Sequence, residues 1–172
     1  VIAFPLMLFT IFYAKDCLIF LSGNEFIGAT LAMQIIAPTI LLIGLSNLLG
    51  IQVLTPLNKE KQLVYSVVAG ALVDLILNII FIPKMGAAGA SLGTLVAEFV
   101  VLTVQILYLK DLFFRIAKQV QYGKIVLALI LASMISIRCS SMVSVIFFKL
   151  AIAGITFFGS YGIVLLLSLI HI

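Results

Sequence analysis

Two carboxylates stand where carboxylates are expensive. Asp74 lies near the middle of an apolar run at 63–83, and Glu98 near the middle of another at 87–109. A turn of three residues, Lys84-Met85-Gly86, joins the runs. Each run has the roughly 20 apolar residues that cross a bilayer core. An acid at the centre of such a span costs about 2.5–3.5 kcal/mol on insertion scales. Two such costs in one hairpin turn both acids toward protein or a wet cavity rather than lipid. An intramembrane acid in that setting can exchange protons, as proton-coupled transport requires, so Glu98 and Asp74 are candidate proton-coupling residues.

Other polar residues keep helical spacing. Ser66, Gly70, Asp74 and Asn78 recur every four residues, and Ser91, Thr94, Glu98 and Gln105 share one face of the next run. Gly89, Gly93 and Ala97 form a small-residue ridge of the kind that lets helices approach closely. In the second run Gln34 and Pro38 are one turn apart, and Ser46, Asn47 and Gly50 follow. Lys15 and Asp16 are adjacent in the first run, and Lys149, Ala153, Thr156 and Ser160 align in the last. The candidates for a polar path are therefore Lys15, Asp16, Gln34, Asn47, Asp74, Asn78 and Glu98. A plainer reading stands beside each. Small and hydroxyl stripes pack helices, Asn78 caps or bridges, and Pro38 only kinks its helix. Lys15 and Asp16 snorkel to the outer interface or pair with other helices, and Lys149 snorkels from its outer end.

The elements that carry these residues are membrane spans. The chain has 172 residues, of which 65% are hydrophobic and 9% charged. Its mean hydropathy is +1.39, far above that of a soluble domain. Six spans are expected, at 1–21, 27–54, 63–83, 87–109, 125–137 (or on to 141) and 142–169. Four basic residues fall in 110–124 and two in 56–62, against Lys84 and Arg138 on the other side. This bias puts the 56–62 and 110–124 loops in the cytoplasm. In 110–124, Leu112, Phe113, Ile116 and Val120 fall at helical spacing among Lys110, Arg115, Lys118 and Lys124. That segment is either a basic amphipathic element for an anionic leaflet or an ordinary basic linker. The organisation is four spans in 1–109, a basic cytoplasmic amphipathic loop at 110–124, and two final spans in 125–172. The fold class is all-α, a polytopic transmembrane helix bundle of about six spanning helices.

Several function classes are excluded. No nucleophile elbow, phosphate-cradling glycine loop or catalytic acid pair occurs, so an enzyme is not expected. No metal-ligand spacing or cofactor motif is present, and Cys17 and Cys139 stand apart as small packing residues. The net charge of +4 sits in loops rather than in an aromatic-laced patch, so no nucleic-acid partner is expected.

Several marks occur together: Ser22-Gly23 with Glu25-Phe26, Gly50-Ile51-Gln52-Val53-Leu54 with Lys59-Glu60-Lys61, and Asn78 with Ile82-Pro83. Gly86-Ala87-Ala88-Gly89-Ala90, Thr94 with Glu98, Pro5 and Ala14-Lys15-Asp16 complete the set. Over 1–109 the chain resembles the Wzx-type oligosaccharide flippases of polysaccharide (O-antigen, lipopolysaccharide) biosynthesis. Their superfamily also holds the multidrug-and-toxin extruders and the lipid II flippase. The pattern departs at Asp74, where Asn is usual. The resemblance implies the C-terminal part of a two-lobe, MATE-like transporter fold, with the N-terminal part missing from this chain. It implies a multi-pass protein of the bacterial cytoplasmic membrane that flips undecaprenyl-pyrophosphate-linked oligosaccharide by alternating access. A polysaccharide polymerase and export proteins would be further partners. On this reading Lys15 meets the pyrophosphate, while Gln34, Asn47 and Asn78 contact sugars. The alternatives are a cation-coupled multidrug exporter of the same superfamily, a membrane-embedded glycan-assembly enzyme, and a structural subunit. His171, the second residue from the end, is given no role, and the last few residues read as an assembly scar.

Overall fold

The computed structural model describes residues 2–118 and 120–170. The reading of His171 lies outside them. The chain is all-helical. In order, the helices are α1 (Ala3–Ser22), α2 (Thr30–Ile36), α3 (Thr39–Asn47), α4 (Glu60–Met85), α5 (Ala87–Tyr108), α6 (Lys110–Ala117), α7 (Tyr122–Ser140) and α8 (Ile146–Ile170). A 3₁₀ segment, Asn24–Ala29, leads into α2, and a π-helical segment, Leu48–Leu54, continues α3. Among the described residues, five helices are long and apolar enough to cross a membrane, or six where the bent pair Asn24–Ile36 and Thr39–Leu54 is counted as one span. The protein is a multi-pass membrane protein by helix length and hydropathy.

Four expectations change in detail. The second span is broken rather than continuous, with a bend of 40°. Pro38 supplies no N–H to the ladder, and the Thr39 hydroxyl donates to the Ile36 carbonyl at 2.6 Å, satisfying part of the break. The expected three-residue turn contracts to one residue. Helix α4 runs through Pro83 and Lys84 to Met85, and Gly86 alone reverses the chain at φ +56°. A left-handed backbone is cheap only for a residue without Cβ. The basic amphipathic stretch is helical only over Lys110–Ala117, so Val120 does not share its apolar face. The fifth span is longer than expected, Tyr122–Ser140.

The contacts divide the chain into two units that do not follow chain order. One comprises 1–30 and 120–172, the other 31–119. In the first, α1 packs with α7 and α8. Ala128 and Ala132 of α7 meet Phe157 and Tyr161 of α8, with Phe4, Leu8 and Phe9 of α1 against them. Ala14, Ala128, Ala132 and Ala153 are fully buried, so small side chains sit where helices close up. A hydroxyl chain ties the three helices. Tyr13 donates to Ser136 Oγ at 2.8 Å, and Ser136 donates to the Ala153 carbonyl at 3.0 Å.

In the second unit the core is Leu49, Leu54, Leu102 and Leu109, with Leu42, Leu45, Leu63, Ile106 and Phe113 packed against it. The α4–α5 hairpin is its centre. Gly89 faces the Phe81 carbonyl, Gly93 faces the Asn78 and Asp74 side chains, and Gly70 faces Val101. Each helix thus offers a glycine where its neighbour needs room, and the small-residue ridge expected on 89–97 is half of a reciprocal fit. The opposite face of α4, with Leu72, Ile76 and Ile79, is exposed and apolar, as a lipid-facing surface is.

Candidate functional site

The polar site lies in the second unit, where the π-helical end of the broken span meets the hairpin. A cavity of about 330 Å³ there is lined by Ser46, Asn47, Asp74, Thr94, Glu98 and Gln105, among apolar neighbours. Helical spacing puts Asp74 on the face of α4 that turns toward α5, one turn beyond the buried Gly70. Thr94, Glu98 and Gln105 come from the facing side of α5. Ser46 and Asn47 end α3, just before the helix widens.

The widening has a visible role in local hydrogen bonding. The Thr55 N–H donates to the Gly50 carbonyl at 3.1 Å, five residues back, and its hydroxyl donates to the same oxygen at 3.2 Å. Gly50 is buried against Leu63 and Gln105, and a Cβ there would come within 2.7 Å of Leu63 Cδ1. A side chain at this position would push the ends of Leu63 and Gln105 aside. π-Helical insertions of this kind concentrate at functional sites.

The floor of the cavity is a buried tie between α4 and α5. Ser66 donates its hydroxyl to the Leu63 carbonyl at 2.7 Å. Its oxygen then accepts from Gln105 Nε2 at 3.2 Å. That leaves Gln105 Oε1 buried without a hydrogen-bond partner, and Asp74 Oδ1 and Asn78 Oδ1 are in the same condition. Buried acceptors without donors are costly, about 1–3 kcal/mol each. Among the described residues, no Lys or Arg lines the cavity. The arrangement is a set of acceptors suited to hydrogen-bond donors, a proton or a cation.

Of the sequence candidates, Asn47, Asp74 and Glu98 come together in this cavity. Asn78 lies one turn beyond Asp74, its Oδ1 against Gly93. Gln34 is half-buried on α2 and is not part of the lining. Lys15 is exposed on α1. Asp16 is held within the first unit by Lys149, at 2.7 Å between Oδ2 and Nζ. That pair borders a second cavity of about 330 Å³, with Tyr13, Ser140 and Ser141. Pairing with another helix is one of the two sequence readings of Asp16, and Asp16 follows it; Lys149, read from sequence as snorkelling, pairs with Asp16 instead.

Gln105, Thr94 and Ser46 were not among the candidates. The first two were visible on the polar stripe of the fourth span. Nothing in the spacing distinguished a cavity-lining Gln105 from Ser91, whose hydroxyl donates to the Ala87 carbonyl within its own helix. Among the described residues no group of three or more His, Cys, Asp and Glu side chains converges on a metal site. No protein-family model, curated protein or solved structure matches the chain.

Proposed function

We propose that the protein is part of a Wzx-type flippase that moves undecaprenyl-pyrophosphate-linked oligosaccharide across the bacterial cytoplasmic membrane by alternating access. The carrying observation is the acceptor-lined cavity between the broken second span and the α4–α5 hairpin. Polar sugars need such hydrated, hydrogen-bonding surroundings inside a membrane, and broken helices line polar paths because their freed backbone must be satisfied by something other than lipid. The resemblance over 1–109 supports the same reading. The 56–62 and 110–124 loops then face the cytoplasm, and the turn at Gly86 faces outward.

Asp74 and Glu98 carry the coupling proton in this scheme. They border one cavity, and among the described residues no basic side chain lines it. The same observation favours the second reading, a cation-coupled multidrug exporter, in which the acids also receive cationic cargo.

Complementation of a flippase-null strain by the full-length gene tests the proposal. Restored surface glycan, with loss of the accumulated lipid-linked intermediate, is the expected result. Failure to restore glycan, with gain of resistance to cationic drugs, would replace the flippase by the exporter. Failure in both assays would remove both readings.

A further inference from the structure

We propose that α6 lies in the membrane–water interface and binds anionic phospholipid headgroups through its basic face. Eight residues at 1.5 Å each make a helix about 12 Å long, too short to cross a core of about 30 Å. Chain continuity holds it at the surface, because α5, a span, ends at Tyr108, and α7, another span, begins at Tyr122.

The two faces of α6 are chemically distinct. Leu112, Phe113 and Ile116 fall on one side, and Lys110, Asp111, Arg115 and the following Lys118 on the other. Phe113 packs against the leucine core of the hairpin unit and stacks edge-on with Phe114 at 5.7 Å. The protein covers only that edge. Ile116, on the apolar side, is 45% exposed, and Phe114, 50% exposed, falls on the basic side between Lys110 and Lys118. Lipid acyl chains are the cover within reach of a helix tied at both ends to spans. Three basic groups against one acid then make the polar side complementary to phosphate headgroups in the same plane. The inference does not depend on which cargo the protein moves.

The chain contains no Trp, so Ile116→Trp provides a single emission reporter, and Leu112→Trp, on the same apolar side, a second should the first variant fold poorly. The protein is reconstituted in phosphatidylcholine vesicles holding an equal small fraction of dibrominated phosphatidylglycerol or dibrominated phosphatidylcholine. Bromine quenches only within contact range. The expected result is quenching about twofold stronger, or more, by the anionic lipid, because each surface basic residue enriches such lipid. The excess should vanish in K110Q/R115Q/K118Q and shrink at high salt. Equal quenching by the two lipids would overturn headgroup recognition and leave apolar insertion alone. Absence of quenching by either would overturn the interfacial placement and assign the exposed face to a protein partner.

Discussion

Gln105 on α5 donates its side-chain amide to the Ser66 hydroxyl on α4, 3.2 Å away, and neither residue meets solvent. The bond joins the two helices of the hairpin. It also fixes the orientation of the Gln105 carbonyl, which is left as an unpaired acceptor beside the cavity. The tie and the vacancy come from the same side chain, and substitution can separate them.

Gln105→Leu should leave folding nearly unchanged, because Ser66 keeps its bond to the Leu63 carbonyl and the orphaned acceptor disappears. Unfolding free energy should shift by no more than about 1 kcal/mol, whereas transport by the full-length protein should fall about tenfold if a hydrogen bond to cargo or ion is lost. Denaturation in detergent and vesicle uptake measure the two. Unaltered transport would take Gln105 out of the site.

The glycines of the hairpin should respond unequally. A Cβ on Gly89 would strike the Phe81 backbone carbonyl, which cannot move without parting the helices. Gly89→Ala should therefore destabilise by about 1–3 kcal/mol. Gly93→Ala meets the end of the Asn78 side chain, which can swing away, so its cost should be smaller. Gly159 faces open space, and Gly159→Ala should stay within about 0.5 kcal/mol. Equal midpoints for the three variants in a denaturant series would contradict the packing.

The Asp16–Lys149 pair is partly exposed, with side chains 19% and 29% accessible. Its worth should lie between a surface pair and a buried one, a coupling of about 1 kcal/mol. A double-mutant cycle on Asp16→Asn and Lys149→Gln measures it. The double variant should be less damaged than the sum of the singles, since no lone charge remains. A coupling of zero would mean the ion pair does not hold α1 to α8.

Asp74→Asn with Glu98→Gln should abolish transport driven by a pH gradient while leaving expression and detergent stability intact. Each single change should weaken the drive, because the carboxylates border one cavity. Full pH-gradient drive in the double variant would dismiss both as proton carriers.

Membrane embedding, the number of spans and the glycine ridge on α5 were legible in the sequence. Hydropathy and helical spacing are properties of consecutive residues, and Asp74 and Glu98 announced themselves by their cost in lipid. The partners of polar residues were not legible. Asp16 finds Lys149, Tyr13 finds Ser136, and Gln105 finds Ser66 across distances along the chain that no local pattern encodes. The turn at Gly86 and the stop of α6 at Ala117 were also misjudged, because Pro83 is tolerated in the last turn of α4 and helix ends depend on backbone capping.

By itself, then, the sequence determined that this is a multi-span helical membrane protein with acids inside its hairpin, because the bilayer acts on each residue through its own transfer cost. The tertiary structure decided which polar atoms meet and which stay unpaired. Closing α4 on α5 through opposed glycines brings Asp74, Glu98 and Gln105 to one cavity with the end of α3. That convergence depends on register and a π-helical widening at Gly50, and both are set by packing between helices rather than by the order of residues within one.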